Sequence, residues 1–386
     1  MIEGTMMDYP LTLRSVLERA RTIFPKGEIV SKGADKTLRR VTFGALAARV
    51  GKLASALAKL GVKQGDRVAT LCWNHDRHVE AYMAVPCMGA VLHTLNLCLH
   101  PHDLAYIAKH AGDSVVIVDR SLWPLFEKFR EGVPSIRHVI VVGDGEPPPD
   151  GALDYEALLA AEPDGYAFPD LPESTPAAIC YTSGTTGNPK GVVYTHRSTV
   201  LHTLATCLAD TMGICGRDVL LPVVPMFHVN AWGIPFAALM TGAKLVFAGP
   251  HLDPEGLLEG HTLVEHQPGT DRGSGPIAVA AVEQHFRPPR EVAEDGPEEV
   301  EVPCRRDLPD GVAQVLDAQL LHPHRFRLAV GVRFAILAQV DHIAAKLIEH
   351  ALPRPWLHIG QARANRAYFT HLLAQEWIAA MPDIAA

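Results

Sequence analysis

Residues 181–198 read Tyr181-Thr182-Ser183-Gly184-Thr185-Thr186-Gly187-Asn188-Pro189-Lys190-Gly191-Val192-Val193-Tyr194-Thr195-His196-Arg197-Ser198, a loop of small residues between two short apolar runs. Ala178-Ile179-Cys180-Tyr181 before it and Val192-Val193-Tyr194 after it have strand character. Within the loop, Gly184, Gly187 and Gly191 allow positive φ and close approach of backbone to a ligand, while Thr182, Ser183, Thr185 and Thr186 add hydroxyl donors. Lys190 brings a compact positive charge. Short donors, a backbone without Cβ atoms in the way and a cation are together what a polyphosphate requires.

The spacing excludes a Walker A loop, which needs Gly, four residues, then Gly-Lys-Ser/Thr; here Lys190 precedes Gly191 instead of following a glycine. The stretch resembles the T-S-G-T-T-G-x-P-K-G signature of the adenylate-forming superfamily, which includes acyl-CoA synthetases, luciferases and peptide-synthetase adenylation domains. Every specified position of that pattern matches. A second stretch, Val224-Pro225-Met226-Phe227-His228-Val229-Asn230-Ala231-Trp232, is by itself an ordinary Pro-bounded apolar run with one histidine. Beside the loop it resembles the gate segment of fatty-acid–CoA ligases within that superfamily.

The resemblance implies a set of roles. Thr182 would be a Mg²⁺ ligand, and Thr185, Thr186 and Lys190 would contact the β- and γ-phosphates of ATP, with Ser183, Gly184, Gly187 and Gly191 completing the cradle. His228 would lie near the acyl carboxylate, and Val229 and Trp232 would belong to the gate of the acyl tunnel. Substrates would be a fatty acid of medium or long chain, ATP and CoA. The segments 86–96 and 104–107 also look like that family, as packing and tunnel wall.

Composition narrows the remaining classes. With 386 residues, 48% of them hydrophobic, the chain can bury one large core or two ordinary ones. A net charge of −8 leaves no basic stripe for nucleic acid. The first eight residues include acidic side chains and no apolar core of a secretory signal, and no apolar run reaches spanning length. Seven scattered cysteines without C-x-x-C spacing suit reduced thiols in a cytoplasm. Cys72, His75 and His78 could suggest zinc, but no further ligand pair of similar spacing follows, and Trp73-Asn74 reads as a strand end running into a helix.

Outward from the loop, periodicity predicts alternating strands and helices. Leu13, Val16, Leu17 and Ala20 mark a helix, and residues 37–43 a short strand leading into the next helix. That second helix carries Leu46, Val50, Leu53, Leu57 and Leu60, with Gly61 placed to end it. Strands are expected at 68–73, 90–94, 115–118 and 139–142, with helices at 79–88, 101–110 and 122–130 between them. Such continuous apolar runs belong to strands buried on both faces, hence a doubly wound parallel α/β sheet. After the loop, a helix over 200–208 with Ser198 as N-cap candidate, strands at 219–221 and 244–247 and a helix at 234–240 are expected.

The organisation expected is a first α/β subdomain at 1–165, the loop and gate region of a second at 166–260, and a non-matching tail at 261–386. From His261 onward there is one Lys against eleven Arg, Pro and Glu doublets crowd 288–303, and regular alternation lapses. The tail contains no Tyr-Gly and no Thr-Gly-Asp, so the family's adenine-stacking and ribose-gripping segments have no counterpart. It reads as a frame-slipped or disordered stretch, which implies a fatty-acid–CoA ligase sequence without activity or, alternatively, a noncatalytic nucleotide-binding remnant. With nothing packed over them, residues 219–224 and 244–247 should then be uncovered.

Overall fold

Helix α1 (Leu13–Ile23) forms where Leu13, Val16, Leu17 and Ala20 recur at steps of three and four, and all four are buried. The computed structural model describes residues 9–143, 147–182, 188–209 and 211–251, with the backbone of residues 277 and 278. A hairpin of β1 (Glu28–Lys32) and β2 (Leu38–Thr42) follows. Helix α2 (Phe43–Lys59) starts at Thr42, whose side chain accepts the Ala45 N–H, and Gly61 takes φ +84° beyond its end.

Strands and helices then alternate as β3 (Arg67–Leu71), α3 (Asp76–Cys87), β4 (Val91–Thr94), α4 (Pro101–Ala111), β5 (Asp113–Asp119), α5 (Trp123–Arg130) and β6 (His138–Val142). The short β7 (Leu153–Asp154) leads into α6 (Tyr155–Ala160). Beyond them lie β8 (Pro176–Tyr181), β9 (Gly191–Thr195), α7 (His196–Thr206), β10 (Val219–Leu220), α8 (Ile234–Thr241), β11 (Lys244–Phe247) and β12 (Ile277–Ala278).

The larger sheet has seven strands in the order β7-β6-β5-β3-β4-β8-β9. All neighbours are parallel except β8 and β9. Val68, Leu92, Ile117 and Ile140 point to a core shared with Leu46, Leu53 and Tyr82 of α2 and α3. Ala69, Val116, Val118 and Val141 point to the other core, with Leu104 and Ile107 of α4 and Phe126 and Phe129 of α5. Both faces are therefore covered, as the doubly wound reading requires. The chain leaves β3 first toward β4, then returns to build β5, β6 and β7 on the other side, so the strand order reverses between β3 and β5.

The second sheet runs β12-β10-β11-β1-β2, antiparallel only between β1 and β2. It corrects one expectation. Strand β11 is interior, flanked by β10 and β1, and Leu220, Leu221, Val223, Val224, Leu245, Val246 and Phe247 are all buried. Distant strands at 28–42 supply the cover that the local sequence did not reveal. The start of α7 also differs: Thr195 is the N-cap, and Ser198 stands at N3 in a reciprocal capping box.

Ionic contacts tie the helices on one face together. Arg49 of α2 meets Glu80 of α3 at 2.6 Å and Glu156 of α6 at 2.9 Å, and the Tyr155 hydroxyl donates to Glu80. The six cysteines among the described residues are free, and no described helix is long and apolar enough to cross a membrane.

Candidate functional site

The loop is entered from β8 and left into β9, so its first and last residues, Thr182 and Lys190, stand at the carboxyl end of β8. Its neck is closed by Thr182 and Lys190. The Thr182 N–H donates to the Lys190 carbonyl at 3.0 Å, and the Lys190 N–H donates to Thr182 Oγ1 at 3.2 Å. Both residues are exposed, and among the described residues none forms an ion pair with the Lys190 ammonium. Gly191 has a packing reason to be glycine: a Cβ there would stand 2.6 Å from Ile179 Cδ1 and 3.1 Å from Tyr181 Cζ. Ser183, Gly184, Thr185, Thr186 and Gly187 lie outside the described residues.

Tyr181, at the root of the loop, has its hydroxyl 2.7 Å from His110 Nδ1. Desolvation, with the Asp113 carboxylate adding to it, raises its pKa to about 12, so the phenol stays neutral. The second stretch reaches the same place. Cys180 Sγ donates to Asn230 Oδ1 at 3.5 Å, and Thr94 Oγ1 lies 3.6 Å from Cys180 Sγ while donating to the Phe227 carbonyl at 3.4 Å. The structure thus brings the loop root and the 224–232 stretch together, through residues at the ends of β4 and β8.

In that stretch His228 and Val229 are exposed, Trp232 is half-buried and Asn230 is buried. Partial desolvation lowers the pKa of His228, favouring a neutral ring. Val229, Asn230, Ala231 and Trp232 have φ of 47°, 51°, 48° and 54°, a left-handed turn made without glycine and followed by Gly233 at 72°.

Side chains that hold this stretch were not apparent in the sequence. Asn74 hydrogen-bonds the backbone at Pro222, Val224 and Met226, and the Tyr82 hydroxyl donates to the Met226 carbonyl. The one available signal was an Asn just beyond an apolar strand, a place where burial forces a polar side chain to find partners.

The Cys72, His75 and His78 trio does not assemble. His78 is fully engaged, with Nδ1 3.0 Å from the Trp73 carbonyl and Nε2 2.9 Å from Thr70 Oγ1, and burial lowers its pKa to about 3. Cys72, His75 and Asp119 do come together, their donor atoms within 4.8 Å of one another. The hydrogen bonds there, however, suit a structural role. His75 Nδ1 accepts the His78 N–H as cap of α3, which leaves the proton on Nε2, 2.9 Å from Asp119 Oδ1. A metal on Nε2 would move that proton to Nδ1 and break the cap.

A model of the AMP-binding enzyme family matches residues 17–288. The long-chain-fatty-acid–CoA ligase of Thermus thermophilus is 49% identical over 256 residues, which cover 66% of this chain and 46% of the relative. The medium-chain-fatty-acid–CoA ligase of Ectopseudomonas oleovorans is 42% identical over 254 residues, covering 65% and 46%. The chain spans about half the length of these curated relatives. Among solved structures, a long-chain-fatty-acid–CoA ligase of Archaeoglobus fulgidus superposes with a TM-score of 0.59 at 24% identity, over 69% of this chain and 52% of that one. The inhibitor-bound N-terminal domain of FACL13 from Mycobacterium tuberculosis gives 0.57 at 27% identity, over 66% and 60%.

Proposed function

Because the chain belongs to the AMP-binding enzyme family over residues 17–288, we propose that its site is built for ATP-dependent activation of a fatty acid and transfer of the acyl group to CoA. The acyl carboxylate attacks the α-phosphorus of ATP, the bond to pyrophosphate breaks, and the CoA thiol then attacks the mixed anhydride and releases AMP. The first step needs no side-chain nucleophile. It needs the polyphosphate charge offset and the carboxylate held in line.

Lys190 and the hydroxyls of Thr185 and Thr186 serve the β- and γ-phosphates, with Ser183, Gly184, Gly187 and Gly191 forming the backbone cradle. Thr182 fits a role as Mg²⁺ ligand. Its hydroxyl is at the exposed neck of the loop and accepts the Lys190 N–H, and the oxygen has a second lone pair for a cation. When bound, Mg²⁺ would supply charge neutralisation on the phosphates. His228 and Trp232 serve the acyl end, the neutral imidazole beside the carboxylate and the indole across the tunnel mouth, with Val229 between them.

The observation that best supports this reading is the join between Cys180, Thr94 and the 224–232 stretch, since a phosphate loop and an acyl gate must meet where anhydride forms. A second reading, a noncatalytic nucleotide or phosphate binder, is favoured by the lack of Tyr-Gly and Thr-Gly-Asp in residues 261–386. ATP titration together with pyrophosphate release in the presence of a fatty acid separates the two. Nucleotide binding with release supports the ligase, binding without release supports the binder, and no nucleotide binding removes both.

A further inference from the structure

Asn74 directs its entire side-chain amide at one distant segment. Its Nδ2 donates to the carbonyls of Pro222 and Val224, both at 3.1 Å, and its Oδ1 accepts the Met226 N–H at 2.6 Å, across 148 to 152 residues of chain. The residue is only 2% exposed, so none of these bonds competes with bulk water. The segment needs such help. It forms no regular secondary structure, and Pro222 and Pro225 have no N–H to offer a ladder. Tyr82 holds the Met226 carbonyl and Thr94 the Phe227 carbonyl, so three buried side chains grip 222–227 from β4, α3 and the turn after β3.

Directly beyond this grip stands the left-handed turn at 229–232. A run of four non-glycine residues there is disfavoured by contact of each Cβ with the following carbonyl. Such backbone persists only when its surroundings over-determine it. We infer that Asn74 is a positioning residue for the acyl gate: it fixes 222–226 and thereby holds the left-handed turn that carries Trp232. The consequence for acyl binding rests on the proposed reading of 224–232 as a gate; the splint itself does not.

The neighbours of Asn74 explain how it is aimed. Asp119, the last residue of β5, accepts the Trp73 N–H at 2.7 Å and pairs with His75 at 2.9 Å, so the residues on both sides of Asn74 are tied to one carboxylate. His75 in turn caps α3. The Cys72, His75 and Asp119 group is thereby accounted for as the anchorage of the splint, at the point where the strand order reverses.

The test uses the full chain as wild type, Asn74→Leu and Asn74→Asp, the first near-isosteric and apolar, the second isosteric but without donors. Hydrogen–deuterium exchange is followed in peptides covering 222–233, with α2 and β5 as internal references. Exchange in 222–233 should rise roughly tenfold or more in both variants while the references hold. Unchanged exchange in 222–233, or an equal rise throughout, would overturn the splint. Should neither variant fold, Tyr82→Phe removes one bond of the grip and should give a smaller rise confined to the same peptides; no rise there is likewise adverse. Trp232 emission, with Trp232→Phe as blank, is then recorded during titration with saturated fatty acids. A wild-type response whose midpoint moves roughly tenfold in Asn74→Leu supports the positioning role, and an unmoved midpoint despite raised exchange refutes it. Absence of any wild-type response removes the gate reading, leaving the splint to be decided by exchange alone.

Discussion

His78 and His196 are buried where a charged ring has little to gain. Burial lowers their pKa values to about 3 and about 4 from an ordinary 6.5. Between those values and 6.5 the unfolded chain binds more protons than the folded one, so stability rises with pH across that window. The contribution is complete above about pH 6.5 and is lost as pH falls toward the folded values. Unfolding in urea at pH 7 and pH 5 should show a loss on the order of 2 kcal/mol per ring. His78→Gln should remove one ring's share of that slope, and an unaltered slope would mean that His78 is not held neutral in the fold. Lys190 offers a sharper test of chemistry at the same scale. Lys190→Ala should weaken ATP binding by about 1.5–3 kcal/mol through loss of a charge-assisted contact, as read by calorimetry. Equal affinities would sever Lys190 from phosphate. The proposal for Lys190 could be made from sequence because small residues and a cation in one loop are a local pattern. That for Asn74 could not, because its partners stand some 150 positions away.

Helix α7 shows how close local reasoning came at the level of elements, and where it slipped. Ser198 is a good capping residue, but Thr195 three positions earlier offers more: its Oγ1 accepts the Ser198 N–H at 3.1 Å, and Ser198 Oγ accepts the Thr195 N–H at 3.0 Å. A reciprocal pair satisfies two donors where a lone cap satisfies one. Thr195→Ala should therefore destabilise the protein by about 1 kcal/mol, and Ser198→Ala by less, in paired chemical denaturation curves. The reverse ranking would restore Ser198 as the cap. Helices α1 and α2 were legible because their apolar residues recur at helical spacing over several turns. Strand β1 was not, since Ser31 and Lys32 are polar by sequence yet buried in the fold, and no alternation marks them.

At the scale of the whole molecule, β3 to β6 could be read as a parallel sheet because each strand is a continuous apolar run between helices. The second sheet could not, because it joins 28–42 to 219–247 and pairing between remote segments leaves no local trace. That pairing also changes what can be expected of the chain. Residues 219–224 and 244–247 are sheltered, so exposed strand edges there are no longer a reason to expect aggregation. The expectation about catalysis rests on different residues. A carboxylate and an α-phosphate react quickly only if both are fixed, and orientation of that kind is worth roughly 7–11 kcal/mol. In the proposed reading the loop takes the phosphate tail and the Asn74 splint positions the acyl side, but the adenine and ribose segments of the family pattern have no match in residues 261–386. An adenosine held only by its phosphates would leave the α-phosphorus unaligned. The purified chain, given ATP, Mg²⁺, CoA and a panel of fatty acids, should bind nucleotide weakly and form acyl-CoA at well under about 1 s⁻¹. Turnover at or above that rate would show that residues 261–386 align the nucleotide by groups outside the family's pattern.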